Sequence, residues 1–322
     1  MDQINKLDTL YKSNESDELD GIIQCPICEE FYGSIDIHSH VNICMNNEFD
    51  NMDYPNDMNY LDDMNYLDDV NEYVEPILTE KQKKAIKYCN SKAKIHSEQT
   101  EGMVKIKLIK NGYDDSDADT IYNYISKVKI TINITIQTVL KFVINDKKLK
   151  NMFETSNKNN IGGRTNWESN LFNNIYKDAE AHEKVKYGAL NIFDEHYGIS
   201  ACGGYGDSFF VLRDEIKNRA SFVLGDSSIM MMHICTFKHF KQLLIHPTEK
   251  HFKSIVNHIL SKNNDCVNHP YIEAQIHGPV RMDCDIEKYC IKESIFEKLS
   301  HIDQSKINIF CVENKIKFVI LK

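Results

Sequence analysis

Tyr271-Ile272-Glu273-Ala274-Gln275-Ile276-His277-Gly278-Pro279 alternates polar and apolar side chains and then stops at a Gly-Pro pair. Alternation has the two-residue period of a strand, and Gly-Pro is a turn signal that ends it. On such a strand Tyr271, Glu273, Gln275 and His277 share one face, and Ile272, Ala274 and Ile276 share the other. The apolar face suits a core, while the polar face offers a carboxylate, an amide and an imidazole in a row. A solvated sheet face carries the same pattern, so alternation alone leaves a reactive strand and a structural one both open.

Working outward, short β-branched or alternating runs recur at Tyr187–Phe193, Ser208–Arg213, Ala220–Leu224, Ile307–Val312 and Ile316–Leu321. Residues 127–143 (KVKITINITIQTVLKFV) alternate and also read as strand. Thr79-Glu80-Lys81-Gln82 has the capping-box pattern and opens a helix through about Ala93. A further helix over Thr236–Leu260 is interrupted at Pro247. This mixture predicts an α+β domain with a mainly antiparallel sheet, beginning near Thr79 and running to the end of the chain.

The segment before Thr79 differs in charge. Residues 1–78 hold 2 Lys and Arg against 19 Asp and Glu, and residues 79–322 hold 36 against 29. So acidic a leading segment repels nucleic acid and anionic membrane surfaces, and neither is expected as a partner. The N-terminus lacks the basic and apolar regions of a secretion signal, and no apolar stretch is long enough to span a bilayer, so a cytoplasmic protein is expected. Residues 1–20 are polar and aperiodic and read as a disordered tail. Residues 49–78 read as an extended, self-repelling linker, with the hexamer Asp57–Asp62 repeated at Asp63–Asp68. Its Tyr60, Leu61, Tyr66 and Leu67 leave a short docking motif open as the alternative.

Between tail and linker, residues 21–48 contain Cys25-x2-Cys28-x11-His40-x3-Cys44. Two thiolates from one tight turn, with an imidazole and a thiolate one helical turn apart, form a structural-zinc ligand set. So short a segment buries too little apolar surface to fold alone, and bound zinc supplies the missing free energy. The seven remaining cysteines have no repeated spacing and read as small buried hydrophobes. Residues Cys25–Asn47 resemble the UBZ family of ubiquitin-binding zinc fingers, in the variant with ligands in the order Cys, Cys, His, Cys. That resemblance implies ubiquitin or ubiquitylated proteins as partners, met by the short-helix face around Ile37, Val41, Asn42 and Met45. A purely structural zinc staple is the rival reading.

Within the large domain several motifs are dense: Gly162-Gly163-Arg164-Thr165-Asn166-Trp167-Glu168, Lys186-Tyr187-Gly188-Ala189-Leu190-Asn191, Arg219-Ala220-Ser221-Phe222 leading into Gly225-Asp226-Ser227, and the strand that ends at Pro279. The glycines at 203–206 lack the G-x-G-x-x-G spacing of a dinucleotide loop, and a strand-like run follows them. Gly225-Asp226-Ser227 is not a nucleophile elbow either. Residue type alone reads Arg164 and Glu168 as a helical ion pair, Trp167 as core, and Asp226 and Ser227 as turn caps.

In their order, these motifs resemble the CHART family of ubiquitin threonine ADP-ribosyltransferases over roughly residues 79–290. The resemblance implies NAD as the ADP-ribose donor and Glu273 as the carboxylate that stabilises the oxocarbenium-like transition state. It further implies that Arg164 or Arg219 pairs with the pyrophosphate, that Tyr187 or Phe222 stacks on nicotinamide, and that Ser221 and Gln275 orient ribose or acceptor. Asp226 and His277 complete the implied cofactor-binding set. Glu183-Lys184-Val185 stands where that family has an Arg-Pro pair, and Ala201-Cys202-Gly203-Gly204 where it has Pro-Arg-Phe-Gly. Arginine-specific transferases carry Glu or Gln two residues before the catalytic Glu, whereas here the order is Glu-x-Gln, so a different acceptor is expected. Hydrolysis of NAD, transfer to another protein, and a non-enzymatic ubiquitin adaptor are the competing expectations.

Overall fold

The computed structural model describes residues 73–100, 102–155, 163–228, 233–261 and 271–322, together with the backbone of two short N-terminal strands. Those strands, β1 (Ile22–Gln24) and β2 (Phe31–Gly33), pair antiparallel with Ile23 opposite Tyr32. The expected zinc ligands Cys25, Cys28, His40 and Cys44 lie outside the described residues. The chain divides into two units, Met1–Asp69 and Val70–Lys322.

The second unit is built on eight strands: β3 (Ile130–Ile134), β5 (Lys186–Leu190), β6 (Ser208–Leu212), β7 (Ala220–Leu224), β8 (Cys235–Thr236), β9 (Ile272–Ile276), β11 (Ile286–Lys292) and β12 (Lys317–Leu321). They lie in the order β12-β11-β6-β3-β5-β9-β7-β8. Every neighbouring pair is antiparallel except β11 with β12. A separate two-stranded ladder joins β4 (Lys148–Leu149) to β10 (Val280–Arg281). The fold is therefore α+β with a mainly antiparallel sheet.

Each sheet face has its own cover, and this division creates the site. Five helices bury their apolar stripes against one face: α2 (Met103–Lys110), α3 (Asp117–Lys127), α4 (Ile136–Thr138 through a π turn at Val139–Val143 to Ile144–Asp146), α6 (Glu249–Ile259) and α7 (His301–Glu313). Ile272, Ala274 and Ile276 join this main core, as alternation on β9 requires. The opposite face is covered by α1 (Glu80–Gln99) through Ala85 and Cys89, and by α5 (Arg164–Leu171) through Leu171. Their cluster also includes Phe172, Tyr176, Val185 and Val223. Thr79 caps α1 with the full capping box, as its sequence predicts. Among the described residues no helix is long and apolar enough to cross a membrane.

Three sequence expectations are corrected. The run 127–143 is strand only over Ile130–Ile134, because the Thr135 hydroxyl accepts from the Thr138 amide at 3.2 Å and starts a helix. From there Ile136, Val139 and Val143 keep the i, i+3, i+7 spacing of a buried helical face. Ile307–Val312 is likewise part of α7: Ser300 caps Asp303 at 3.1 Å, and Ile307, Phe310 and Cys311 turn together into the core. The helix expected to begin at Thr236 starts later, as a short Gln242–Ile245 turn followed by α6, because Cys235 and Thr236 pair with β7. Within the stretch expected as linker, the Tyr73 hydroxyl donates to Asp285 at 3.0 Å.

Gly188 in β5 shows how closely the strands approach. A Cβ there would lie 2.7 Å from the Thr131 carbonyl oxygen and 3.0 Å from Ile132 Cγ1. Gly188→Ala is expected to destabilise the fold by about 1–3 kcal/mol, the usual cost of overpacking a closed site. Urea unfolding monitored by circular dichroism checks this; an unchanged midpoint contradicts it.

Candidate active site

Between α5 and the strands lies a cleft of ≈ 170 Å³, with Glu273, Arg164, Trp167, Tyr187, Asp226 and Tyr271 among its lining. Sheet register explains how distant motifs meet there. Glu273 on β9 lies opposite Ala189 of β5 and Val223 of β7, and Gln275 lies opposite Tyr187 and Ser221. Alternation then places Glu273, Gln275, Tyr187 and Ser221 on one face, away from the main core. Thr131 and Asn133 of β3 extend that face into the cleft.

A chain of hydrogen bonds runs beneath the cleft toward Glu273. The Tyr176 hydroxyl lies 2.8 Å from His277 Nδ1, and His277 Nε2 lies 3.4 Å from Ser221 Oγ. Ser221 Oγ donates to Gln275 Oε1 at 2.9 Å, and Gln275 Nε2 donates to Glu273 Oε1 at 2.8 Å. Ser221 spends its proton on Gln275, so His277 must donate from Nε2 and accept from Tyr176 at Nδ1. Burial, with the Arg219 guanidinium adding to it, lowers the His277 pKa to about 3, so the ring is neutral and this tautomer is satisfied. Every donor in the chain points the same way, and the chain ends on a carboxylate oxygen.

Glu273 is under opposing influences. Burial raises its pKa and the nearby Asp226 charge adds to the rise, while Ser227 and Gln275 pull it back. Arg164 is the only cation among the lining residues; its guanidinium sits 4.6 Å from the Tyr187 ring centre and 5.5 Å from that of Trp167. Glu273 and Asp226 outnumber it, so the cleft favours a developing positive charge.

The expected residues divide into three groups. Arg164, Tyr187, Asp226 and Glu273 line the cleft. Gln275, Ser221 and His277 are buried behind it and hold Glu273 from below. Arg219 and Phe222 do not reach it. Arg219 is 5% exposed, pairs with the fully buried Asp285 at 3.1 Å and donates to the His277 carbonyl at 2.7 Å. It is therefore spoken for as a structural cation, and the pyrophosphate role expected of it is not supported by its position. Phe222 points to the opposite sheet face and packs in the main core, which takes it out of reach of a nicotinamide ring.

Sequence reading also missed residues. Trp167 lines the cleft and is only partly buried, where a core position was expected. Glu168 makes no ion pair with Arg164 among the described residues; it accepts from the Tyr187 hydroxyl at 3.0 Å. Tyr271, Tyr205, Ser227, Thr131 and Asn133 also belong to the wall. Of these, Tyr271 was marked in the sequence by sharing the alternating face of Glu273, and Ser227 only as a turn cap.

Glu168 is 1% exposed, and burial raises its pKa from 4.5 to about 7 against the lowering influence of Tyr187, Lys184 and Arg164. Between those two values the folded carboxyl keeps a proton that the unfolded one has lost, so stability falls as pH rises across that window. Glu168→Gln is expected to be about 2–3 kcal/mol more stable than the parent near pH 8, at about 1.4 kcal/mol per pKa unit. The difference should close by about pH 4. Denaturant melts at the two pH values check it, and a pH-independent difference contradicts the assignment.

Residues 131–254 match a family described as a protein of unknown function, DUF3626. The match takes in the motifs around Arg164, Tyr187 and Ser221, and stops short of β9. No curated protein matches the chain.

Proposed function

We propose that the chain is a mono-ADP-ribosyltransferase that uses NAD as donor, with Glu273 as its key carboxylate. The observation that carries this reading is a buried carboxylate, fixed by the Tyr176–His277–Ser221–Gln275 chain, at the floor of an acidic cleft with aromatic walls. Such a site stabilises positive charge as it forms. When the bond from ribose C1′ to nicotinamide breaks, the bonding electrons leave with the ring and an oxocarbenium-like ribose remains for Glu273 to face. An acceptor hydroxyl then bonds to C1′, and its proton passes to the carboxylate.

The cleft is smaller than the roughly 300–1,000 Å³ of a pocket that encloses a whole drug-sized ligand. It suits the nicotinamide–ribose end, with Tyr187 and Trp167 against the ring and Arg164 at the phosphates. Ubiquitin is the acceptor we assign, through a threonine, with Cys25, Cys28, His40 and Cys44 holding zinc in a finger that recruits it. That assignment rests on ligand spacing and on the family resemblance of the motifs. A tethered recruiter raises the local concentration of acceptor at the cleft.

Trp167 is the sole tryptophan of the chain and lines the cleft, so its fluorescence reports occupancy directly. Titrating NAD should change its emission saturably, and nicotinamide should appear in the mixture. Emission indifferent to millimolar NAD, with no nicotinamide released, would remove the NAD reading and leave a binding protein.

A further inference from the structure

We propose a second metal site, independent of the cleft, formed by His96, His233 and His246. His96 comes from the last turn of α1, His246 from the C-terminal end of the Gln242–Ile245 helix, and His233 from the approach to β8. Their ligand nitrogens all lie within 4.8 Å of one another. The ring centres of His233 and His246 are 3.7 Å apart and nearly parallel, and His96 meets them edge-on at 4.3 and 5.4 Å. None of the three lines the cleft.

Three imidazoles gathered from distant parts of the sequence call for an explanation. Ring–ring contact alone is a weak force for bringing them together. Among the described residues no hydrogen bond engages a ring nitrogen of the three, and His96 Nδ1 is buried with no partner at all. A buried nitrogen lone pair or N–H left unmatched is destabilising, and a metal ion removes that cost if the nitrogen is a ligand. Lys107, a cation beside His246, is engaged with the carbonyls of Ile245 and Pro247 at 2.8 and 2.7 Å, which anchors the backbone on both sides of His246.

Three imidazoles select a borderline divalent transition metal, with zinc as the ion of choice. Metal–nitrogen distances of about 2.0–2.1 Å require ligand nitrogens roughly 3.3 Å apart in a tetrahedron. The stacked rings of His233 and His246 must therefore splay and close by about an ångström, a movement that two exposed side chains can make. A water fills the fourth position. Bound there, the ion ties the end of α1 to the chain on either side of β8, and so braces the helix that covers the site face.

The test uses the full chain with Cys25, Cys28 and Cys44 replaced by serine, so that those thiolates do not take up metal. After dialysis against zinc chloride, elemental analysis should find one zinc per chain, and cobalt(II) should give a spectrum without thiolate charge-transfer bands. His233→Ala and His246→Ala, both at exposed positions, should each weaken zinc binding by more than the about 10–100-fold typical of losing a mere outer-shell partner. Each apo variant should keep the parent circular dichroism spectrum. Absence of bound zinc in the serine background, or a zinc content that neither histidine substitution alters, would overturn the site.

Discussion

Glu273→Gln is expected to lower nicotinamide release by about 10²–10³-fold, the range seen when one preorganised group that stabilises transition-state charge is removed. The loss should fall on kcat, with little change in KM for NAD, because the charge Glu273 faces develops only as the glycosidic bond breaks. The same substitution should raise stability at neutral pH. Burial and Asp226 raise the Glu273 pKa, so ionising it costs folding free energy that glutamine does not. A variant that is less active and more stable separates a strained catalytic carboxylate from a merely structural one. Steady-state kinetics and a denaturant melt on the same preparation read both; unchanged kcat contradicts the assignment.

Arg219→Met is expected to cost about 3 kcal/mol of stability, toward the lower end of the range for breaking a buried ion pair. It leaves Asp285, with no exposed surface, to the Tyr73 hydroxyl and Arg281, whose amide donates to it at 2.7 Å and whose Nε lies 3.5 Å away. It also frees the His277 carbonyl and loosens the end of the chain that leads to Glu273. The double change Arg219→Met with Asp285→Asn should recover part of the loss, since the buried carboxylate that has lost its Arg219 partner is then replaced by a neutral amide. Urea melts of the three proteins check this. A single variant that keeps parental stability but loses NAD affinity would restore Arg219 to the cleft.

The architecture was legible in the sequence where one period governed a stretch. On β9 the two-residue alternation survives intact, because one face meets the main core and the other the site, so the sequence alone places Glu273 and Gln275 together. It failed where β-branched residues fill a helix. Ile307, Ile309 and Val312 look like strand, and only the cap at Ser300 and the inward turn of Ile307, Phe310 and Cys311 reveal α7. Arginine was the other blind spot. A sequence gives a guanidinium but not its partner, and Arg219 finds its carboxylate on a helix turn after β10, whereas Arg164 is left facing the cleft. The histidine cluster had no sequence signal at all, since His96, His233 and His246 share no motif and meet only through packing.

The central claim is most directly tested by the intact mass of ubiquitin after incubation with NAD and the full chain, with Glu273→Gln alongside. The account predicts a gain of one ADP-ribose with the parent and none with the variant. Equal gain with both proteins, or none with either while NAD is left intact, would contradict it.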